Sequence, residues 1–220
     1  MVGAFASILL ISSKSNKRML ESLNYTLFYW INATPDSPRW LIAFADFAAS
    51  DLISIVPLLA VGLWLWGPRE QVNAQRQLVI KVTLAMLVSL CCSALLGHFF
   101  PHDRPFADRV GYNFLHHAPD SSFPSDHGTV IFTFAVAFLA WHRLWSGALL
   151  MVIGLTIAWS RVYLGVHWPL DMLGALLVGI GGCLSAQILW QGFGPALYHS
   201  VQQLYRACFA MLIRRGWVRD

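Results

Sequence analysis

The sequence predicts an all-α membrane protein, a polytopic bundle of about five transmembrane helices. Hydrophobic residues make up 57% of the chain and charged residues only 12%, whereas a soluble domain carries about 25% charged residues. A helix needs about 20 mostly apolar residues to cross a bilayer, and stretches of that kind recur along the chain. They cover residues 40–66, 78–100, 127–142, 145–163 and 169–191.

The residues before the first apolar stretch predict a helix that lies at the membrane surface. Residues 23–34 are amphipathic and too short to span, and Pro35 and Pro38 follow them. A sixth span in this region is the alternative. We expect residues 1–18 to be an N-terminal extension, 19–191 the membrane-embedded domain and 192–220 a basic cytoplasmic tail.

The charge pattern indicates orientation in a membrane and argues against nucleic acid as a partner. The formal net charge is +4, but the 15 Lys and Arg residues are spread along the chain instead of forming one basic patch. With five spans, the polar loops 101–126 and 161–167 fall on one side, and the positive-inside rule places them outside and the tail in the cytoplasm. Tryptophans near the span ends, Trp168 among them, predict an interfacial aromatic belt.

Ionisable residues cluster where the polar loops meet the predicted helix ends. Such residues are costly at a membrane edge, so they are candidates for function. The clusters are H-D-R-P at residues 102–105, P-S-D-H-G at 124–128 and S-R-V-Y-L-G-V-H-W-P-L-D at 160–171.

The third cluster predicts a nucleophilic histidine. His167 precedes Asp171 by four residues, so both side chains lie on one face of a helical turn. The carboxylate can hold one ring nitrogen and leave the other free to attack, as in a hydrolase triad. Attack of a neutral imidazole on phosphorus would form a phosphohistidine and divide one difficult displacement into two easier ones.

The other clusters supply groups that a phosphate requires. Arg104 and Arg161 carry the fork-shaped side chains that compensate charge on phosphate oxygens. Ser125 and the backbone N–H groups of His127 and Gly128 would stand at a helix N-terminus, which favours an anion. His127 can also protonate the leaving group as a general acid. Each residue alone has a structural explanation; their joint spacing favours phosphoryl transfer.

These residues resemble the signature of the type 2 phosphatidic acid phosphatase superfamily, K-x6-R-P, then P-S-G-H, then S-R-x5-H-x3-D. The matching residues are Arg104 and Pro105, then Pro124, Ser125 and His127, then Ser160, Arg161, His167 and Asp171. The resemblance implies an all-helical enzyme that uses no metal and no cofactor. It also implies that His167 is the nucleophile, Asp171 its partner and His127 the acid.

Two positions depart from the signature. Gly97 stands where the family has lysine, and His98, His102 or Arg109 are the candidates to replace that cation. Asp126 stands where the family has glycine, and we expect it to pair with Arg109 or to face solvent. The P-S-D-H form resembles the bacterial undecaprenyl-diphosphate phosphatases that are associated with bacitracin resistance.

The resemblance implies hydrolysis of undecaprenyl diphosphate, a polyprenyl lipid, at the outer face of a bacterial inner membrane, which would recycle the carrier lipid for cell-wall synthesis. The alternatives are a phosphatase of phosphatidate or phosphatidylglycerol phosphate, a lipid phosphotransferase, and a bacitracin transporter without catalysis. The adjacent His116 and His117 are not a predicted metal pair, because neighbours on a loop need further ligands to hold one ion.

Overall fold

The computed structural model of the protein describes residues 18–220, and within this range every regular element is helical. The helices are α1 (residues 18–31), α2 (Arg39–Ser50), α3 (Ile55–Trp66), α4 (Val72–Phe99), α5 (Asp126–Trp141), α6 (Leu144–Tyr163), α7 (Pro169–Cys208) and α8 (Ala210–Arg214). The predicted helical bundle is confirmed. The predicted extension, residues 1–18, lies outside the described residues except for its last position.

Membrane-spanning segments occupy the predicted places. In the described chain, four segments are long and apolar enough to cross a bilayer, and they cover Arg39–Trp66, Arg69–Phe99, Leu144–Tyr163 and Pro169–Cys208. The fifth, α5, has 16 residues, a length of about 24 Å. It packs against α4, α6 and α7, so it is the central helix of the bundle, and this explains why it is apolar on every side.

The first span is not one continuous helix. Between α2 and α3 the chain makes a single 3₁₀ turn, Leu52–Ser54. The last carbonyl groups of an α-helix have no partner within the helix, and the carbonyl oxygen of Ala49 in α2 accepts a hydrogen bond from Arg161 Nη1 at 3.0 Å. The break, which hydropathy does not reveal, therefore supplies an acceptor for one of the two candidate phosphate-binding arginines.

Helix α1 packs over the start of α7. Phe28 is fully buried, and the rings of Tyr25 and Phe28 lie 4.8 and 5.1 Å from the Trp168 ring. Asn24 accepts the Leu170 N–H at 3.0 Å, which satisfies one of the free donors in the first turn of α7. Trp168 is 1% exposed, so its prediction as an interfacial belt residue is wrong, because α1 covers it.

At the end of the bundle away from Trp168, a buried arginine joins separate parts of the chain. Arg76 donates to the carbonyl oxygens of Trp64, at 3.2 Å, and Arg219, at 2.8 Å, and its guanidinium lies 4.4 Å from the Tyr205 ring centre. The C-terminal residues are thereby joined to α3 and α4. Helix α7 continues past residue 192, the predicted start of the tail, to Cys208.

The turn between α6 and α7 brings His167 into the bundle. Gly165 in this turn has φ 81°, and a Cβ there would lie 2.1 Å from the carbonyl oxygen of Tyr112. Glycine tolerates this backbone conformation and leaves room for the neighbouring chain. The glycine therefore permits the sharp turn and its close contact with the 101–126 loop.

We predict that Gly165→Ala lowers the free energy of unfolding by about 2 to 4 kcal/mol, from the left-handed backbone and the steric overlap together. Thermal unfolding in detergent measures it. Gly181→Ala is the control, because that helical glycine has nothing within 4 Å of its Cβ position. Equal unfolding temperatures for the two variants would contradict the prediction.

Candidate active site

His167 is 2% exposed and is held at both ring nitrogens. Its Nδ1 lies 3.3 Å from Asp171 Oδ2, and its Nε2 lies 3.0 Å from Arg104 Nη1. Because a guanidinium only donates, Nε2 is the acceptor in this contact and Nδ1 carries the proton that faces the carboxylate. The pairing expected from the four-residue spacing is formed, and Nε2 is the nitrogen that keeps a lone pair.

Asp171 also begins helix α7. Its Oδ2 accepts the backbone N–H of Trp168 at 2.8 Å, and Pro169 occupies the first helical position, where its missing N–H is no loss. The Ser122 hydroxyl donates to the same carboxylate oxygen. The helix start and the serine together fix the carboxylate. Ser122 was not singled out in the sequence, because it lies two residues before the P-S-D-H motif.

Arg104 is buried and makes contacts at each guanidinium nitrogen. Its Nε donates to Asp120 at 2.8 Å, and its Nη1 also donates to the Val166 carbonyl at 2.9 Å. The Nη2 group lies 3.4 Å from the Ser121 carbonyl. In this arrangement Arg104 covers the nucleophilic nitrogen, so a phosphate group that approaches His167 would take the place of that one contact.

Asp120 keeps its negative charge beside Arg104. Burial alone would raise the pKa of this carboxyl, but the hydrogen bond and the charge of Arg104 outweigh burial and hold its pKa below the usual range. The carboxylate is therefore ionised at neutral pH. Asp120, like Ser122, was not predicted from the sequence as a residue of the site.

Arg161 is 2% exposed and carries a charge that no carboxylate neutralises by direct contact. Its Nη1 donates to the Ala49 carbonyl, whereas its Nε is buried without a hydrogen-bond partner. No ion pair to Arg161 is found in residues 18–220. A buried guanidinium without a counter-charge is costly. This side chain is therefore suited to an anionic ligand.

The start of α5 carries Ser125, His127 and Gly128, the residues that are expected to face the phosphate. Ser125 is the N-cap, and its hydroxyl accepts the Gly128 N–H at 3.3 Å, so in this conformation both groups are engaged with each other. A Cβ on Gly128 would lie 2.9 Å from Ala175 Cβ. The glycine is thus required for close packing of α5 on α7. His127, next to it, is partly buried, and the charge of Arg161 acts on it.

The candidate replacements for the signature lysine do not meet at the nucleophilic nitrogen. His98 is exposed and its ring lies against Phe99, at 5.2 Å. Arg109 is exposed, and within residues 18–220 no ion pair to it is found. His102 Nδ1 lies 4.0 Å from Asp171 Oδ1, the carboxylate oxygen that does not face His167.

Asp126 is exposed and accepts a hydrogen bond from Ser93 at 3.2 Å. Of the two expected surroundings, solvent agrees with this position, whereas the pairing with Arg109 is not formed. Ser93 belongs to α4, so the acidic side chain links α4 to the first residue of α5.

His117 lies directly at the site, although only its pairing with His116 drew notice in the sequence. Its ring centre is 6.2 Å from that of His167, with the planes at 73°. Its Nδ1 is 3.7 Å from Asp120 Oδ1. Among the described residues no group of three or more His, Cys, Asp or Glu side chains is arranged to hold a metal ion.

Burial lowers the pKa of His167 to about 4, against the opposing hydrogen bond and charge of Asp171. Since the pKa is lowered, the ring stays neutral, and therefore nucleophilic, as the pH falls past 6.5. We predict that the ¹⁵N imidazole NMR signals of His167, assigned by difference from His167→Ala, stay unchanged from pH 8 to about pH 5. A titration of these signals centred near pH 6.5 would contradict the prediction.

A buried histidine held by a carboxylate, with two buried arginines beside it and a membrane bundle around it, defines a membrane-embedded phosphatase. The chain belongs to the PAP2 superfamily, whose family model matches residues 78–194. This family membership agrees with the resemblance that the three sequence clusters carry.

Individual relatives extend the likeness over most of the chain. The protein named "Putative undecaprenyl-diphosphatase YbjG" of Escherichia coli strain K12 is 68% identical over 92% of this chain and 100% of its own length. Undecaprenyl-diphosphatase BcrC of Bacillus subtilis strain 168 is 29% identical, over 72% of this chain and 79% of its own. The crystal structure of Aquifex aeolicus LpxE superposes with a TM-score of 0.59 at 26% identity, over 75% of this chain and 94% of that one.

Proposed function

We propose that the protein hydrolyses undecaprenyl diphosphate to undecaprenyl phosphate and inorganic phosphate at the outer face of a bacterial inner membrane. The observation that carries this proposal is the buried guanidinium of Arg161, which has no carboxylate partner within residues 18–220 and whose charge acts on the carboxylate-held His167. Such a pair suits attack on a phosphate anion. The names of the two undecaprenyl-diphosphatase relatives support the choice of lipid.

The reaction proceeds in two displacements. His167 Nε2 attacks the terminal phosphorus, the bond from phosphorus to the bridging oxygen breaks, and undecaprenyl phosphate departs with a proton from His127. Water then attacks the phosphohistidine while His127 takes its proton, and the phosphorus–nitrogen bond breaks to release phosphate. Arg104 and Arg161 stabilise the charge on the phosphoryl oxygens in both steps.

The topology of the bundle supports an external active site. The ends of α4 and α6 and the starts of α5 and α7 carry the candidate catalytic groups. The other end of the bundle carries several basic residues: Arg69, Arg76, Arg143 and Arg206. By the positive-inside rule that basic end faces the cytoplasm and the site faces outward.

An apolar cavity of about 380 Å³ supports a substrate with a long hydrocarbon chain. It lies between α3, α4 and α5, and its lining includes Val130, Phe134 and Phe138. These residues follow His127 by three, seven and eleven positions, so they lie on the same face of α5. A lipid whose phosphate contacts His127 can therefore extend its chain along this face into the bilayer.

We predict that Val130→Trp, which fills the cavity close to His127, raises KM for undecaprenyl diphosphate about tenfold, because burial of several methylene groups is lost. The KM for a short, water-soluble isoprenyl diphosphate should change much less. Leu149→Trp, at an exposed position of α6, is the control. An equal loss with both substrates would contradict a role in chain binding.

The function is tested by phosphate release in detergent from undecaprenyl diphosphate, phosphatidate and phosphatidylglycerol phosphate, each with EDTA. We predict that the first substrate is preferred, that EDTA has no effect, and that His167→Ala reduces kcat by about a thousandfold or more, as loss of a nucleophile does. His199→Ala, an exposed histidine at the other end of the bundle, should keep full activity.

Other outcomes would identify the alternatives. Preference for phosphatidate or phosphatidylglycerol phosphate would change the substrate and leave the chemistry. Release of phosphate that falls when a lipid or sugar acceptor is added, with a phosphorylated acceptor as product, would indicate a phosphotransferase. Activity of His167→Ala would overturn the nucleophile assignment, and loss of wild-type activity in EDTA would overturn the metal-free mechanism.

A further inference from the structure

The departure at position 97 leaves the site without the family's lysine, and helix α4 packs closely on the 101–126 loop at that position. A Cβ at Gly97 would lie 3.1 Å from the Phe123 carbonyl oxygen and 3.6 Å from Ser121 Oγ. Helix α4 therefore packs tightly against the loop that carries Ser122, and a side chain at 97 would press against that loop. The missing cation has to come from another element.

We propose that His117 binds the phosphoryl group that is transferred, in place of the signature lysine. The inference rests on the phosphoryl chemistry of the proposed function and assigns one further substrate-binding residue to it. The 101–126 loop carries His117 to the His167 ring, at 6.2 Å between centres. In the described chain, neither His98 nor His102 packs its ring on His167, and Arg109 makes no hydrogen bond to that ring.

A shared carboxylate positions His117 beside Arg104. Asp120 accepts from Arg104 Nε at 2.8 Å, and the same oxygen lies 3.7 Å from His117 Nδ1. Arg104 in turn contacts His167 Nε2. One carboxylate thus orders the side chains of Arg104 and His117 around the nucleophile, so that both can meet the same phosphate.

The orientation of the ring leaves its second nitrogen available. His117 Nδ1 lies 3.1 Å from the Ala118 carbonyl oxygen, which only accepts, so Nδ1 carries a proton. The imidazolium can then donate Nε2–H to a phosphate oxygen as a charge-assisted hydrogen bond.

The neighbouring histidine provides a matched comparison. His116 is exposed, while His117 is partly buried with 24% of its side chain accessible. Within residues 18–220 no hydrogen bond or ion pair of the His116 side chain is found. Removing either imidazole deletes the same chemical group from the same loop. A difference in phosphate binding between the two variants is therefore due to the position of His117 at the site.

The test is binding of inorganic phosphate to the full-length protein in detergent, followed as the rise in unfolding temperature with phosphate concentration. We expect His117→Ala to raise the apparent Kd for phosphate about tenfold or more, the effect of losing one hydrogen bond to a charged group. His117→Lys, which restores the charge but not the ring, should bind within about threefold of wild type. His116→Ala should match wild type.

Kinetics supply the second readout. If His117 holds the transferred group, His117→Ala lowers kcat/KM with undecaprenyl diphosphate and with a monophosphate lipid by the same factor, and lysine recovers it. Phosphate binding in His117→Ala equal to that in His116→Ala, no recovery by lysine, or a loss confined to the diphosphate would each overturn the proposal. Because phosphate binding needs no turnover, wild type that binds phosphate but hydrolyses no lipid would contradict the proposed function alone.

Discussion

The carboxylate of Asp171 both stabilises the fold and orients the nucleophile. Its Oδ2 accepts from the Trp168 backbone, from Ser122 and from His167, so one atom caps helix α7, anchors the 101–126 loop and orients the nucleophile. A carboxylate at a helix N-terminus is stabilised by the free N–H groups and the helix dipole. The same interaction that begins α7 therefore also leaves His167 Nε2 with its lone pair toward the site.

The remaining charges of the site fall into two kinds. Arg104 is compensated by Asp120, and its position depends on loop contacts as well as on that ion pair. Arg161 is buried on α6, and within residues 18–220 the Ala49 carbonyl is the only acceptor that its side chain reaches. A site with one neutralised and one uncompensated guanidinium favours the binding of an anion such as a phosphate group. Arg104 donates to His167 Nε2 and covers the nucleophilic nitrogen.

Close packing of the surrounding helices fixes the positions of these groups. Helix α5 lies in the centre, and small residues let its neighbours approach: a Cβ on Gly179 of α7 would come within 2.9 Å of the Thr133 backbone nitrogen in α5. Small residues of this kind allow close helix packing within membranes. Helix α1 covers Trp168. At this end of the bundle, α1 and the 101–126 loop cover the start of α7.

The sequence by itself determined the class of fold, the places of the spans and the chemically central pair. Apolar length is a local property, and a four-residue separation at a helix start brings His167 and Asp171 together with little help from the rest of the chain. Only the tertiary structure decided the contributions of Ser122, Asp120 and His117, because they come from a loop without periodicity and meet the site across long sequence separations. It also decided that Trp168 is buried and that Ala49 serves Arg161, since both depend on how separate helices pack.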